Sequence, residues 1–200
     1  MKKLLIATGN EGKLNEIKKF LKKLDLKIIS LKDLNFNQDV EEDGKTYKEN
    51  SQKKALYFAK LTNLPTLADD GGIEIDALKG KPGINSKHWA KNESEIIKKL
   101  GKIAKEIPED NRGAIFKVVL SLAFPNGKVF STEDQIRGLI IKNPYIKRVK
   151  GYPYRSFFYL PESGKYYNED ELTDDELRVY NHRYKAIQKL KVIIKKEIYA

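Results

Sequence analysis

The sequence predicts an α/β protein with a long mixed central β-sheet flanked by helices, arranged as two lobes with a cleft between them. Three observations carry that expectation. The chain opens as strand, glycine turn, helix, strand, the order that builds a parallel pair through a right-handed crossover. Its middle holds two long strand-like runs joined at Pro125-Asn126-Gly127, and Asn-Gly is a strong hairpin pair. Its end carries Thr173 with Glu176 three residues later, the capping-box spacing that starts a helix.

Each element has its own signal. Residues 3–8 are apolar enough for a buried strand, and Gly9 to Gly12 form a turn. From Lys13 the period changes: Leu14, Ile17, Leu21 and Leu24 fall on one helix face. Residues 26–30 read as a second strand. A helix over 46–61 is closed by Asn63-Leu64-Pro65. Thr66, Leu67 and Ala68 read as a short strand ending at Asp69-Asp70-Gly71-Gly72, after which Ile73, Ile75 and Ala77 alternate with polar residues as a further strand. Residues 93–107 are helical, and 114–124 and 128–141 form the hairpin. Residues 143–161 are rich in aromatics, proline and glycine. The last helix is expected to run unbroken from Thr173 to about Ile194, with Leu177, Tyr180, Tyr184, Ile187 and Leu190 inward.

Composition narrows the class. At 200 residues the chain is expected to be a single domain, 1–200, large enough to bury a core without staples. It has no cysteine, so disulfides, thiolate metal sites and a cysteine nucleophile are excluded. The apolar run after Lys3 is too short for a signal peptide, and no stretch approaches the roughly 20 apolar residues of a membrane span. A cytoplasmic protein with no membrane partner is expected. The net charge of +11 favours anionic ligands. The lysines are spread over the polar sides of helices, which reads as a solvated face, and a nucleic-acid partner is not expected.

Four clusters carry chemistry. Thr8-Gly9-Asn10-Glu11-Gly12-Lys13 lies at a strand-to-helix junction, where small residues let backbone N–H groups approach an anion and Lys13 adds a point charge. It is not a Walker-type loop, since Leu14 stands where Ser or Thr is required. Glu41-Glu42-Asp43-Gly44 places carboxylates before a helix, which suits either a hard cation or the helix N-terminus itself. On that helix Asn50 and Lys54 share a face. Asp69 and Asp70 stand at a strand end, where α/β proteins bind ligands. Either could orient a water as general base, and an Asp-Gly turn explains the same residues. His182 and Arg183 are adjacent on the last helix, about 100° apart, and are expected not to face the core together.

In this order and spacing the clusters resemble one family. Thr-Gly-Asn-x-Gly-Lys-Leu-x-Glu-Ile from Thr8 to Ile17, Glu-Glu-x-Gly-x-Thr-Tyr-x-Glu-Asn from Glu41 to Asn50, and Lys54-Ala55 are similar to the inosine triphosphate pyrophosphatases. So are Ala-Asp-Asp-x-Gly-Ile-Glu-Ile-Asp-Ala-Leu from Ala68 to Leu78, Pro82-Gly83-Ile84 and His182-Arg183. The resemblance implies a nucleotide in the cleft, Mg²⁺, a homodimer, and hydrolysis of ITP, dITP or XTP to the monophosphate and pyrophosphate. By the same resemblance Thr8, Gly9, Asn10, Glu11, Gly12, Lys13 and Lys54 hold phosphates, and Glu41 and Asp70 sit at the metal. Asp70 or Asp69 is the base, Gly71 contacts substrate, and Tyr152, Tyr154, Arg155, His182 and Arg183 serve the nucleobase.

The chain departs from the family pattern at the base end. Gly71 stands where the family has Ser, and Lys150-Gly151-Tyr152-Pro153-Tyr154-Arg155-Ser156 replaces Gly-Phe-Gly-Tyr-Asp-Pro, so Arg155 stands for a carboxylate. Leu177 replaces a lysine, with Arg178 beside it, and Asn181 replaces a serine. The expectation is a working pyrophosphohydrolase with an altered base preference; the alternative is a non-catalytic nucleotide-binding or sensing protein of the same fold.

Overall fold

A parallel strand pair opens the chain, as its pattern requires. In the computed structural model, which describes residues 1–36 and 40–199, β1 (Lys2–Ala7) and β2 (Leu26–Ser30) pair in parallel with Leu4 opposite Ile28. Between them α1 (Glu11–Leu21) starts at Asn10, whose side chain accepts the Lys13 N–H and satisfies one of the open first-turn donors. The helix ends before Leu24, so that residue lies outside the expected stripe. α2 (Tyr47–Thr62) is capped by Thr46 and closed by Asn63 in the left-handed region (φ 55°).

β3 (Thr66–Ile75) corrects a sequence expectation. Asp69-Asp70-Gly71-Gly72 is not a turn between two strands; it lies inside one continuous strand. Aspartate and glycine are both poor strand formers, which is why the pattern reads as a break. α3 (Glu93–Glu106), β4 (Gly113–Ala123) and β5 (Val129–Ile140) follow, the last two joined by the Asn-Gly turn, with Gly127 at φ 86°. Inside residues 143–161 lies β6 (Phe158–Leu160), and just beyond it β7 (Lys165–Tyr166), both antiparallel additions whose shortness hides them from any periodicity. The sheet order is β2-β1-β3-β4-β5-β6-β7, parallel at one end and antiparallel at the other.

The expected last helix is two. α4 (Asp174–Tyr180) carries the full capping box, with Thr173 accepting the Glu176 N–H and Glu176 accepting the Thr173 N–H. It stops at Asn181, whose backbone is extended, and α5 (His182–Ile198) starts anew. No proline or glycine marks the break, so the sequence pattern runs straight through it.

The chain forms two compact units: Met1–Asp70 with Val118–Asp134 and Arg183–Ala200, and Gly71–Lys117 with Gln135–His182. The first unit has a core on each sheet face. Leu4, Ile6, Leu67, Val118, Leu120 and Leu122 pack with α1 and α5. Leu5, Ala7, Ala68 and Ala123 pack with Ala55, Phe58 and Ala59 of α2. This is the alternation of a strand buried on both sides. The second unit packs Ile73, Ile75, Ile96, Leu100, Phe157, Phe158 and Tyr167 into one core. Among the described residues no helix is long and apolar enough to cross a membrane.

Candidate functional site

The strand alternation decides what Asp69 and Asp70 do. Neighbours on a strand point to opposite faces, so the two carboxylates do not share one environment. Asp69 follows Leu67 onto the α1 and α5 face, and Asp70 follows Ala68 onto the α2 face. Both are buried, at 2% and 6% exposure.

On the first face Asp69 accepts two cations. Lys13 Nζ lies 3.0 Å from its Oδ2, and an Arg183 terminal nitrogen donates to the same oxygen at 3.1 Å. Arg183 also donates to Glu16 Oε2 at 2.5 Å, and both partners are almost wholly buried. Lys13 and Glu16 come from the same face of α1, three residues apart. Burial pushes the Asp69 carboxyl up, but Lys13, Arg183 and Lys54 outweigh it and hold it at about 2. Asp69 therefore stays ionised at neutral pH and has almost no tendency to accept a proton.

On the second face Asp70 Oδ2 accepts the Asn50 amide N–H at 3.0 Å, and Asn50 Oδ1 accepts the Gly44 N–H at 2.8 Å. One side-chain amide thus ties the 41–44 segment to the strand carboxylate. Lys54, one helical turn after Asn50 and 6% exposed, pairs with Glu42. Glu41 is exposed, and Asp43 pairs with Lys53 at the surface. Among the described residues no group of three or more His, Cys, Asp or Glu gathers into a cage. The donor set fits a hard cation held by one or two carboxylates and completed by a ligand's own oxygens, the manner of Mg²⁺.

The loop between β1 and α1 leaves its backbone approachable. Thr8 Oγ1 accepts the Asn10 N–H at 3.2 Å, which sets the loop's shape. A Cβ built on Gly9 meets nothing within 4 Å, so packing does not require glycine there, and space stands open above its backbone. Glu11 is exposed and Gly12 half-buried in the first turn of α1.

The second unit presents rings. Arg155 is 2% exposed, and its guanidinium carbon lies 3.6 Å from the Tyr152 ring centre and 4.7 Å from that of Tyr167. It does not turn to solvent. Tyr167 is anchored by a 2.8 Å hydrogen bond between its hydroxyl and His182 Nδ1, and the His182 ring stacks on Phe116 at 5.7 Å. Tyr154 is buried and donates its hydroxyl to the Ser86 carbonyl at 2.8 Å; burial pushes that phenol up. Half-buried Tyr152 lines a recess of about 200 Å³ together with Glu93, Ile97, Arg148, Lys150 and Ser156. Gly71 is half-buried in β3. Its neighbour Gly72 is sterically obligatory, because a Cβ there would fall 2.3 Å from the Gly83 carbonyl and 2.4 Å from Ser86 Oγ. That hydroxyl bonds the Ile73 N–H and the Gly83 carbonyl.

His182 and Arg183 correct another expectation. Both are buried, at 3% and 4%. The helix-wheel argument assumed that one face of one helix meets one core. Instead the pair stands at the start of α5, with His182 against Tyr167 and Phe116 in the second unit and Arg183 against Glu16 and Asp69 in the first. Asn50, Glu16 and Glu42 were not singled out as site residues in the sequence. Spacing could have found two of them, since Asn50 lies four residues before Lys54 and Glu16 three after Lys13.

Known proteins share this architecture. The chain matches the model of the Ham1 family over residues 4–193. It is 35% identical over 195 residues to a dITP/XTP pyrophosphatase of Desulforamulus reducens, covering 96% of this chain and 95% of that one. It is 36% identical to a dITP/XTP pyrophosphatase of Geobacter sulfurreducens, covering 96% of each. Among solved structures, the Ham1 protein of Staphylococcus aureus superposes with a TM-score of 0.80 at 32% identity, over 98% of this chain and all of that one. A HAM1 protein from Coxiella burnetii gives 0.81 at 31%.

Proposed function

We propose, for a chain that belongs to the Ham1 family, that it hydrolyses non-standard purine nucleoside triphosphates to the monophosphate and pyrophosphate and so clears them from the nucleotide pool. The near-full-length similarity to proteins named dITP/XTP pyrophosphatases supports the substrate class. One observation carries the chemistry: Asp69 is committed as an ionised partner of Lys13 and Arg183, which leaves Asp70, held by Asn50, as the base.

In this reading the open backbone from Thr8 to Gly12, with Lys13 and Lys54, receives the triphosphate. Asp70 accepts a proton from the attacking water as the water's oxygen joins phosphorus. The anhydride between the α- and β-phosphates breaks, and the electron pair leaves with the product phosphate. Mg²⁺, held by Asp70 and Glu41 with the substrate's oxygens, supplies neutralisation of phosphate charge. Asp69 fixes the position of Lys13, and Glu16 with Arg183 fixes Asp69. Tyr152, Arg155 and His182 serve the base, with Tyr154 anchoring their loop through Ser86. The two units act as one functional domain. The resemblance also supports a homodimer and a cytoplasmic setting, which light scattering and cell fractionation test.

A non-catalytic binding protein of the same fold is the less supported reading, because the complete set around Asp70 has no evident use in a pure sensor. The discriminating experiment is pyrophosphate release with Mg²⁺ from ITP, dITP, XTP, dUTP, GTP and ATP. Preferred turnover of ITP, dITP or XTP is expected; binding without turnover of any of the six would transfer support to the sensor.

A further inference from the structure

We propose that Arg155 is a specificity-determining residue that favours xanthine over hypoxanthine, a refinement that rests on the pyrophosphohydrolase reading and on the 150–156 loop serving the base. A guanidinium donates hydrogen bonds and accepts none, and it keeps its charge at every working pH. Lying over the Tyr152 ring at 3.6 Å, it has a face against the ring and directs its N–H groups outward in its own plane. What such a group recognises is an acceptor, a ring carbonyl or a deprotonated ring nitrogen. Burial to 2% exposure strengthens the attraction, since little water screens it.

Its platform is fixed. Tyr167 is tied to His182 through its hydroxyl and packed beside Phe116 and Phe158 at 5.7 and 5.8 Å. Xanthine carries two ring carbonyls and loses a ring proton close to neutral pH. Hypoxanthine has one carbonyl and stays neutral there. A buried cation separates the two by charge as well as by acceptor count.

A second observation in the same unit points the same way. Asn168 follows Tyr167 in the chain and is 1% exposed, and neither its Oδ1 nor its Nδ2 has a hydrogen-bond partner among the described residues. A buried amide left this way is costly. Its complement is an adjoining ring carbonyl and N–H, an edge that xanthine presents twice, hypoxanthine once and adenine never.

The test compares kcat/KM for XTP and ITP at one mildly alkaline pH, with Mg²⁺, in the wild type and in Arg155→Gln, Arg155→Lys and Asn168→Ala. The wild type should prefer XTP. Arg155→Gln should lower the XTP:ITP ratio roughly tenfold, the size of one charge-assisted hydrogen bond, while Arg155→Lys keeps part of it and Asn168→Ala lowers it less than Arg155→Gln. A residue needed only for packing would lower both substrates alike, and that result, or a wild type that prefers ITP, overturns the proposal. If neither nucleotide is turned over, calorimetry with the two monophosphates separates the claims. Tighter binding of XMP that Arg155→Gln abolishes would keep the base preference and remove the activity, and equal binding would remove both.

Discussion

The two units handle buried charge differently. In the first, every buried ion described here meets an opposite ion: Arg183 meets Glu16 and Asp69, Lys13 meets Asp69, and Lys54 meets Glu42. In the second, Arg155 lies over two tyrosine rings, and Arg112 donates to the carbonyls of Ala104, Ile107 and Ile140 besides pairing with Glu109. Ion pairs set protonation states and aim point charges, which is what polyphosphate chemistry needs. Rings and carbonyls hold a guanidinium at a fixed orientation while leaving its charge uncancelled, which suits discrimination among flat heterocycles. The difference teaches that one unit is specialised for the reaction and the other for the choice of substrate.

The sharpest way to break that comparison is Asp70→Asn. The change keeps shape and removes the base, so kcat should fall roughly a hundred- to ten-thousandfold with the thermal midpoint nearly unchanged. A variant of near wild-type rate would make the α2 face irrelevant to the chemistry. Next comes Arg183→Met, which leaves Glu16 buried without its cation; urea unfolding should show a loss of about 3–5 kcal/mol. A loss near zero would mean that the pair is not buried in solution.

The third prediction concerns acid. Asp69 ionises at about 2 in the folded chain against an ordinary 3.8. A lowered folded value contributes stability that is complete above the ordinary value and is lost as pH falls through the folded one. The contribution is about 2 kcal/mol at neutral pH. Urea midpoints measured near neutral pH and near pH 2 should therefore diverge more in the wild type than in Asp69→Asn. Equal divergence would show that Lys13 and Arg183 do not hold the charge. The smallest effect belongs to the second unit: Tyr167→Phe removes the bond to His182 and should lower stability by about 1–3 kcal/mol, with KM rising more than kcat falls. A change in kcat alone would count against the unit's role in binding.

Much of the first unit was legible from sequence because its chemistry sits in short, ordered motifs. Lys13, Asp69, Asp70 and Lys54 were all marked, and the alternation of Leu4, Leu5, Ile6 and Ala7 already implied a strand covered on both sides. What the motifs did not show was connectivity. Glu16 reaches Arg183 across a separation of 167 residues, and Asn50 reaches Asp70 across 20, distances that no local pattern encodes. The strand through Asp69-Asp70-Gly71-Gly72 was hidden because tertiary packing overrode local propensity, Gly72 being forced by the close approach of Gly83 and Ser86. The second unit was the less legible. Its rings could be counted in sequence, but Arg155 over Tyr152 and Tyr167 is a long-range arrangement. The break at Asn181 that sends His182 and Arg183 to different cores carries no proline or glycine to announce it.

The most direct measurement of the central claim is product analysis after complete conversion of XTP or ITP with Mg²⁺, by phosphorus NMR, for the wild type and Asp70→Asn side by side. The account predicts one monophosphate and one pyrophosphate per substrate consumed by the wild type, and almost unconverted substrate with the variant. Release of orthophosphate and a nucleoside diphosphate, or equal conversion by both proteins, would contradict it.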